Sequence, residues 1–179
     1  MEHPSTEEIQ ERLLKIKLLI LDCDGVLTDG RIIPISETEE TKLFDVKDGH
    51  GIRMAGRAGL KTAIISGRKS FAVRIRARDL GVTHLYEEAF VKIGPYQEVL
   101  AKEGLTDEAV CFVGDDVTDI PLLRRAGLAV AVADAVDDVK RHAHLTTRRS
   151  GGHGAVRELI ELILEAQGKW AGVMERYLA

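Results

Sequence analysis

Polar side chains suited to work on a phosphate follow four separate apolar runs of this 179-residue sequence. The first run ends in two carboxylates, Asp22 and Asp24. The later groups are Ser66, Lys92 and the acidic segment Gly114-Asp-Asp-Val-Thr-Asp119. Any one of them alone would be interpreted as a loop residue or a helix cap. Because parallel strands end at the same edge of a sheet, four such groups together predict one site.

The chemistry of this set is that of phosphoryl transfer. Clustered carboxylates repel one another unless a hard cation lies between them, and Mg²⁺ binds one or two carboxylates together with a phosphate. A lysine and a hydroxyl beside the ion would hold the phosphate oxygens. Asp22 is also a competent nucleophile, able to form an aspartyl phosphate. Residues i and i+2 of a strand point to the same side, so Asp22 and Asp24 would face the site while Cys23 is buried.

Alternating strand and helix patterns predict the scaffold that positions these residues. Apolar runs of strand length cover residues 17–22, 60–66, 83–86, 109–114 and 128–133, with a weaker run near 143–147. Helical patterns cover residues 5–15, 51–58, 69–80, 94–103, 120–126, 135–142 and 155–167. Strands that are apolar on both faces and separated by helices predict a doubly wound, Rossmann-like α/β fold, a parallel sheet with helices on both faces. We expect one domain over residues 1–179.

Two segments depart from this alternation. Residues 31–46 have two short apolar arms around a polar turn, which predicts a β-hairpin inserted after the first strand. The C-terminal tail, about residues 150–179, begins with the glycine-rich run Gly151-Gly-His-Gly154. This run is interpreted either as a flexible lid or as a simple linker before the last helix. Residues 168–179 have no strong pattern.

Composition excludes several classes of protein. The 25 Lys+Arg and 29 Asp+Glu residues give a net charge of −4 without a long basic block, which argues against a nucleic-acid partner. The apolar runs are too short for a membrane span, and the polar N-terminus is unlike a signal peptide. Cys23 and Cys111 are too few for a disulfide framework. We therefore expect a cytoplasmic protein with no membrane partner.

The segment Asp22-Cys-Asp24-Gly-Val-Leu-Thr-Asp29 resembles the first signature of the haloacid-dehalogenase phosphatase superfamily, and Ser66, Lys92 and Gly114–Asp119 resemble its other three motifs in order. A narrower resemblance is to the capless 3-deoxy-D-manno-octulosonate 8-phosphate phosphatases, which act in lipopolysaccharide synthesis. It is carried by Phe44-Asp-Val-Lys-Asp-Gly-His-Gly-Ile-Arg53, by residues 64–69 and by residues 151–158. The resemblance implies a phosphatase fold with no cap domain.

Roles follow from the resemblance, residue by residue. Asp22 would be the nucleophile and a metal ligand, Asp24 the general acid/base and a ligand through its backbone carbonyl, and Asp115 the third ligand to Mg²⁺. Ser66 and Lys92 would hold the phosphoryl group. The sugar acid would be bound by Asp24, Lys92 and a further set of residues, Asp45, Val46, Lys47, Asp48, Gly49, Arg53, Arg68 and Arg76. Arg76 lies on a helix rich in arginine, where a solvated face is an equal alternative.

The resemblance also implies a homotetramer. In that family the hairpin forms a small barrel at the subunit junction, and the tail covers a neighbouring subunit's site. Members often have arginine where His153 stands, and the turn at residues 36–40 is acidic in this sequence.

Three alternatives remain open on the sequence. A phosphoacceptor receiver domain also collects carboxylates at strand ends, but its phosphorylated Asp ends the third strand, where this chain has Tyr86-Glu-Glu. A non-catalytic oligomerisation module would not need every catalytic residue, and this chain has them all. A phosphatase for a nine-carbon sugar acid phosphate differs only in the depth of the substrate pocket.

Overall fold

The computed structural model describes residues 4–36 and 40–178. Its main sheet has six parallel strands in the order β5-β4-β1-β6-β7-β8, and two further strands pair antiparallel as a hairpin, β2-β3. This is the doubly wound fold that the alternating pattern predicts. The strands are β1 Leu18–Leu21, β2 Ile33–Pro34, β3 Glu40–Thr41, β4 Lys61–Ile65, β5 His84–Tyr86, β6 Val110–Gly114, β7 Leu128–Ala131 and β8 Leu145–Thr146.

Eight α-helices accompany the strands in the described part of the chain. They are α1 Thr6–Lys15, α2 Val46–Arg57, α3 Phe71–Leu80, α4 Ile93–Glu103, α5 Ile120–Leu123, α6 Asp137–Lys140, α7 Ala155–Ala166 and α8 Trp170–Leu178. A capping box begins α1, since the Ser5 hydroxyl accepts from the backbone N–H of Glu8 while the Glu8 carboxylate accepts from the backbone N–H of Ser5. None of these helices has the length and apolar character needed to cross a bilayer.

The strand order places the candidate residues at a topological switch point. From β1 the chain moves to β4 and β5 on one side, then returns to β6 on the other. Leu21 lies level with Ile64 of β4 and with Val113 of β6. The residues that directly follow these three strands therefore meet at one edge, which is where open α/β sheets bind ligands.

The core explains why this edge is well defined. All four residues of β1 are buried between helical layers, and α7 buries Val156, Leu159, Ile160 and Ile163. Cys23 and Cys111 are buried and free, as predicted. Burial of this extent fixes the strand register, because a slip of one residue would turn a carboxylate into the core.

Several predicted boundaries are wrong. Helix α2 begins at Val46 rather than near residue 51, because Asp45 accepts hydrogen bonds from the backbone of Lys47 and Asp48 and so caps an earlier turn. The second hairpin arm consequently ends at Thr41. The patterns at residues 120–126 and 135–142 form four-residue helices, and the patternless tail forms α8. Residues 37–39 of the predicted acidic turn lie outside the described residues.

Candidate active site

Three carboxylates meet at the switch point. Asp22 follows β1, Asp115 follows β6, and Asp119 lies one turn further on; one oxygen of each lies within 4.8 Å of the others. Asp22 and Asp119 are buried, and Asp115 is half-buried. The sequence placed Asp119 in the acidic segment at this edge but assigned it no role of its own. The sequence feature that pointed to Asp119 is its spacing of four residues from Asp115, because one helical turn brings residues at that spacing together. The backbone N–H of Asp115 donates to Asp119 Oδ2 at 3.0 Å.

Lys92 is the cation at the centre of this cluster. Its Nζ lies 2.7 Å from Asp22 Oδ1 and 2.6 Å from Asp119 Oδ1, and the residue is buried at the start of α4. Burial opposes the charged ammonium, but the charges of Asp22 and Asp119 outweigh it and raise the pKa of Lys92. Lys92 thus remains a cation directed at the nucleophile predicted from the sequence.

One ammonium does not neutralise three carboxylates. Burial and the charge of Asp119 raise the pKa of Asp22 to about 6, although Lys92 acts in the opposite direction. Burial and the charge of Asp22 raise the pKa of Asp115 to about 8. Oδ1 of Asp115 is buried and has no hydrogen-bond partner. An unpartnered carboxylate oxygen in a site with excess negative charge fits a hard cation with oxygen ligands, the preference of Mg²⁺.

The loop after β1 depends on close packing of two glycines. Gly25 has φ +84°, and a Cβ there would overlap the carboxylate of Asp115. A Cβ on Gly151 would overlap the carbonyl oxygen of Gly25. The backbone N–H of Gly151 donates to Asp134 Oδ1 at 2.9 Å, and that of Gly152 donates to Val26 O at 2.9 Å. The glycine run is therefore held against its own chain's Asp22–Asp29 loop, which favours the linker interpretation over a flexible lid; contact with a neighbouring subunit stays a prediction.

Asp24 faces a different set of charges from Asp22. Its Oδ1 accepts a hydrogen bond from the Nζ of Lys42, and its Oδ2 lies 3.9 Å from the Nε of Arg68. Glu40 contacts both cations: its Oε1 lies 2.9 Å from Lys42 Nζ and its Oε2 lies 2.5 Å from Arg68 Nη2. Lys42 was missed from the sequence, because a lysine in a hairpin arm is ordinarily a solvated residue.

Ser66 directly follows β4 and is buried. Its hydroxyl accepts from the backbone N–H of Arg68 at 3.2 Å, and its own N–H donates to Tyr86 O at 2.9 Å. The register of β1 with β4 places it beside the end of β1, as predicted. Its hydroxyl hydrogen is free to donate to an anion at this edge.

Three of the predicted sugar-acid residues on α2 and α3 make contacts within the chain. Arg76 donates to Asp45 O at 3.4 Å and lies against Gly49, where a Cβ would overlap its guanidinium. Arg53 donates to Asp79 O at 2.5 Å. Asp48 is buried and accepts from backbone groups of α7 and the residue before it. These contacts favour structural roles for Asp48 and Arg76, whereas the side chains of Val46 and Lys47 are exposed.

Comparisons with known proteins identify the family to which this chain belongs. Residues 81–159 match the haloacid dehalogenase-like hydrolase family. The chain is 45% identical over 166 residues to the 3-deoxy-D-manno-octulosonate 8-phosphate phosphatase KdsC of Escherichia coli (strain B / BL21-DE3), covering 93% of this chain and 88% of that protein.

Solved structures give the same result. The 3-deoxy-D-manno-octulosonate 8-phosphate phosphatase of Yersinia pestis is 44% identical with a TM-score of 0.91, covering 94% of this chain and 91% of that one. The phosphatase of that name from Moraxella catarrhalis, in complex with a magnesium ion, a phosphate ion and a KDO molecule, is 35% identical with a TM-score of 0.93 and covers 97% and 99%. By sequence and by fold, the chain belongs to the 3-deoxy-D-manno-octulosonate 8-phosphate phosphatase family of haloacid dehalogenase-like hydrolases.

Proposed function

We propose that this chain, acting as a single catalytic domain, hydrolyses 3-deoxy-D-manno-octulosonate 8-phosphate to the free sugar acid and inorganic phosphate in the presence of Mg²⁺. The observation that carries the proposal is the cluster of Asp22, Asp115 and Asp119 around Lys92 at the switch point. The relatives named above support the substrate, and the absence of a cap insertion within the described residues agrees with their fold.

In this mechanism Asp22 and Asp115 would hold Mg²⁺ through their carboxylates and Asp24 through its backbone carbonyl. When bound, the ion supplies positive charge that offsets the negative charge of the phosphate. The partnerless oxygen of Asp115 supports this assignment, and so do the pKa values of Asp22 and Asp115, which are raised first by burial and then by the charge of neighbouring aspartates.

Two aspartates carry out the covalent steps, one as the nucleophile and the other as the acid and base. A carboxylate oxygen of Asp22 attacks phosphorus, and the bond from phosphorus to the sugar oxygen breaks as Asp24 donates a proton to that oxygen. Asp24 then accepts a proton from water, whose oxygen attacks phosphorus and breaks the bond to Asp22. Lys92 and Ser66 donate hydrogen bonds to the phosphoryl oxygens throughout, so the negative charge is held at fixed positions.

Substrate recognition is proposed to depend most on Arg68. It is exposed, lies beside Asp24, and has the planar guanidinium that pairs with a carboxylate. Lys47 and Arg53 are exposed on α2 and are proposed to assist, together with the backbone of residues 45–49. Direct substrate contacts from Asp48 and Arg76 receive less support from their packing.

We also propose a homotetramer in the cytoplasm. Large apolar side chains are exposed after the hairpin strand β2, at the start of α3 and after β5, with Ile35 66%, Phe71 71% and Phe90 80% accessible. Ile35 and Phe71 line one cavity of about 640 Å³ beside Glu40 and Arg74. Surfaces of this kind mark contacts with other chains. Two buried free thiols suit a reducing compartment.

The test is a substrate panel with the purified protein. We expect Mg²⁺-dependent release of phosphate from 3-deoxy-D-manno-octulosonate 8-phosphate, with kcat/KM at least about tenfold above that for a nine-carbon sugar acid 9-phosphate or hexose phosphates. A preference for the nine-carbon substrate would overturn the substrate assignment. No turnover of any phosphomonoester with Mg²⁺ would favour a non-catalytic module, and light scattering of the same preparation tests the tetramer.

A further inference from the structure

We propose that Lys42, delivered by the hairpin, is a positioning residue that holds the carboxylate of Asp24 in the orientation needed for proton transfer. The inference rests on the acid/base role of Asp24 in the proposed function, and it assigns to the hairpin a task within its own chain. Neither the apolar runs nor the strand-end residues of the sequence pointed to Lys42.

The surroundings of Lys42 are those of a fixed group. Its side chain is only 2% exposed, although it directly follows β3 of a short surface hairpin. The Nζ hydrogen bonds to Asp24 Oδ1 and lies 2.9 Å from Glu40 Oε1, so two carboxylates share one ammonium. A buried ammonium with two anionic partners is costly to move, because any displacement leaves a charge without a partner.

A second cation completes the arrangement. Glu40 Oε2 lies 2.5 Å from Arg68 Nη2, and Arg68 Nε lies 3.9 Å from Asp24 Oδ2. Glu40 thus connects the two cations that flank Asp24, one on each carboxylate oxygen. Lys42 holds Oδ1 at hydrogen-bond distance, whereas Arg68 is further from Oδ2 and leaves that oxygen available to exchange a proton with the leaving group or with water.

The orientation of Asp24 matters for the steps that transfer a proton, and these depend on the leaving group. A sugar alkoxide is a poor leaving group and needs a proton from Asp24 as the bond to phosphorus breaks. A 4-nitrophenolate is a good leaving group and departs without one. If Lys42 orients Asp24, its removal slows phosphoryl transfer from an alkyl phosphate and slows attack of water on the phosphorylated Asp22, but it spares the first release of 4-nitrophenolate.

The experiment compares Lys42→Met with the wild-type enzyme on both substrate types. With the sugar-acid phosphate we expect kcat to fall on the order of 10²-fold, the usual contribution of a placed acid or base. With 4-nitrophenyl phosphate, stopped-flow absorbance should show a first turnover within about threefold of wild type, followed by a slow steady state. Equal loss in the first turnover and in alkyl phosphate turnover would overturn the proposal, as would wild-type rates throughout.

Two further variants complete the design. Lys61→Met removes a lysine that is paired with Glu103 at the start of β4, the opposite end of the strand from Ser66, and should leave turnover of both substrates at wild-type rates. Glu40→Gln keeps Lys42 but removes the charge that anchors it and Arg68. It should slow turnover of the sugar-acid phosphate while sparing the first release of 4-nitrophenolate, with a smaller loss of kcat than Lys42→Met. It therefore tests the proposal even if Lys42→Met does not fold.

The outcome is separable from that of the proposed function. If the wild type does not act on the sugar-acid phosphate but hydrolyses another alkyl phosphate, the proposed substrate is wrong and the comparison is made with that alkyl phosphate. If the wild type turns over the sugar-acid phosphate and Lys42→Met shows no selectivity between leaving groups, the proposed function stands and the role of Lys42 is wrong.

Discussion

Asp48 and Arg157 are 109 residues apart in the chain, yet Oδ1 of Asp48 accepts a hydrogen bond of 2.7 Å from the backbone N–H of Arg157. Oδ2 accepts another of 3.1 Å from the backbone N–H of Gly154. A carboxylate of α2 thereby satisfies two N–H groups at the N-terminus of α7, where the helix dipole favours negative charge. Asp48 joins the segment after the hairpin to the helix that covers the sheet.

We predict that Asp48→Ala lowers the free energy of unfolding by about 2 kcal/mol, because it leaves one buried and one half-buried N–H group without an acceptor. Urea denaturation measures the change, and Asp79→Ala, at a half-exposed side chain on α3, is the matched control. The kcat and KM of the folded fraction should stay within about twofold of wild type. A raised KM with unchanged stability would instead establish the substrate contact predicted from the family.

Asp22→Asn should abolish turnover, with a loss of order 10³-fold or more, because a neutral amide is not a nucleophile that can form the acyl phosphate. The variant should fold, since it removes one of three mutually repelling carboxylates from a buried site. Phosphate release and circular dichroism on one preparation check both statements. Retention of a tenth of the wild-type kcat would exclude Asp22 as the nucleophile.

Mg²⁺ should stabilise the protein, and more strongly at pH 8 than at pH 5. The folded-state pKa values of Asp22 and Asp115 are raised to about 6 and about 8 from 3.8, so the chelated protein binds more protons folded than unfolded. The contribution of these two groups to stability is therefore largest below about pH 4 and is lost as the pH rises to 8. At pH 5 protons already relieve the repulsion that the ion would relieve.

Thermal unfolding with EDTA or with Mg²⁺ at each pH measures this difference. Saturation at about 100 times Kd contributes about 2.7 kcal/mol, or a rise in Tm of about 5 to 10 °C at pH 8 for a chain of this size. Asp115→Asn should remove most of that rise. An equal shift at both pH values would place the ion away from these carboxylates.

The sequence was sufficient for the centre of the sheet because β1, β6 and β7 are buried along their whole length and β4 is buried after Lys61, so their residues form nearly unbroken apolar runs. The outer strands β5 and β8 are only partly buried, and their runs are shorter and weaker. The same reasoning placed Asp22, Ser66 and Asp115 at one edge, since parallel strands share their direction. Both predictions need only the local hydrophobic pattern and the rule that parallel strands end at the same edge of a sheet.

Contacts between distant segments were not predictable in this way. The hydrogen bond from Lys42 to Asp24 depends on how the segment after the hairpin lies against the loop after β1. The hydrogen bonds that Asp48 accepts at the start of α7 depend on how α2 packs against that helix. Helix α8 could have been found, because Trp170, Val173 and Tyr177 recur at helical spacing. In the structure Trp170 lies against Arg157, and the Tyr177 hydroxyl accepts from Arg57 at 2.6 Å.

Gly151→Ala should damage stability and activity together. Its added methyl would overlap the carbonyl oxygen of Gly25, and Gly25 itself packs so closely on Asp115 that a Cβ there would overlap the carboxylate. We therefore expect relief of the overlap to disturb the loop that borders the metal-binding side chains. Overpacking of this kind costs about 1–3 kcal/mol. We expect a lower Tm, a lower kcat, and a higher Mg²⁺ concentration for half-maximal activity.

Gly56→Ala is the control for this prediction, because a Cβ at that position in α2 meets nothing within 4 Å. An interior helical glycine replaced by alanine should raise stability by up to about 1 kcal/mol with unchanged kinetics. If residues 151–154 were instead a mobile lid, Gly151→Ala would alter kcat and KM while Tm stayed at the wild-type value. Measuring Tm and the kinetic constants on the same preparation therefore decides between the two interpretations. A packed turn next to Gly25 and Asp115 predicts loss of both stability and activity, whereas a hinge that acts only when substrate binds predicts altered kinetics alone.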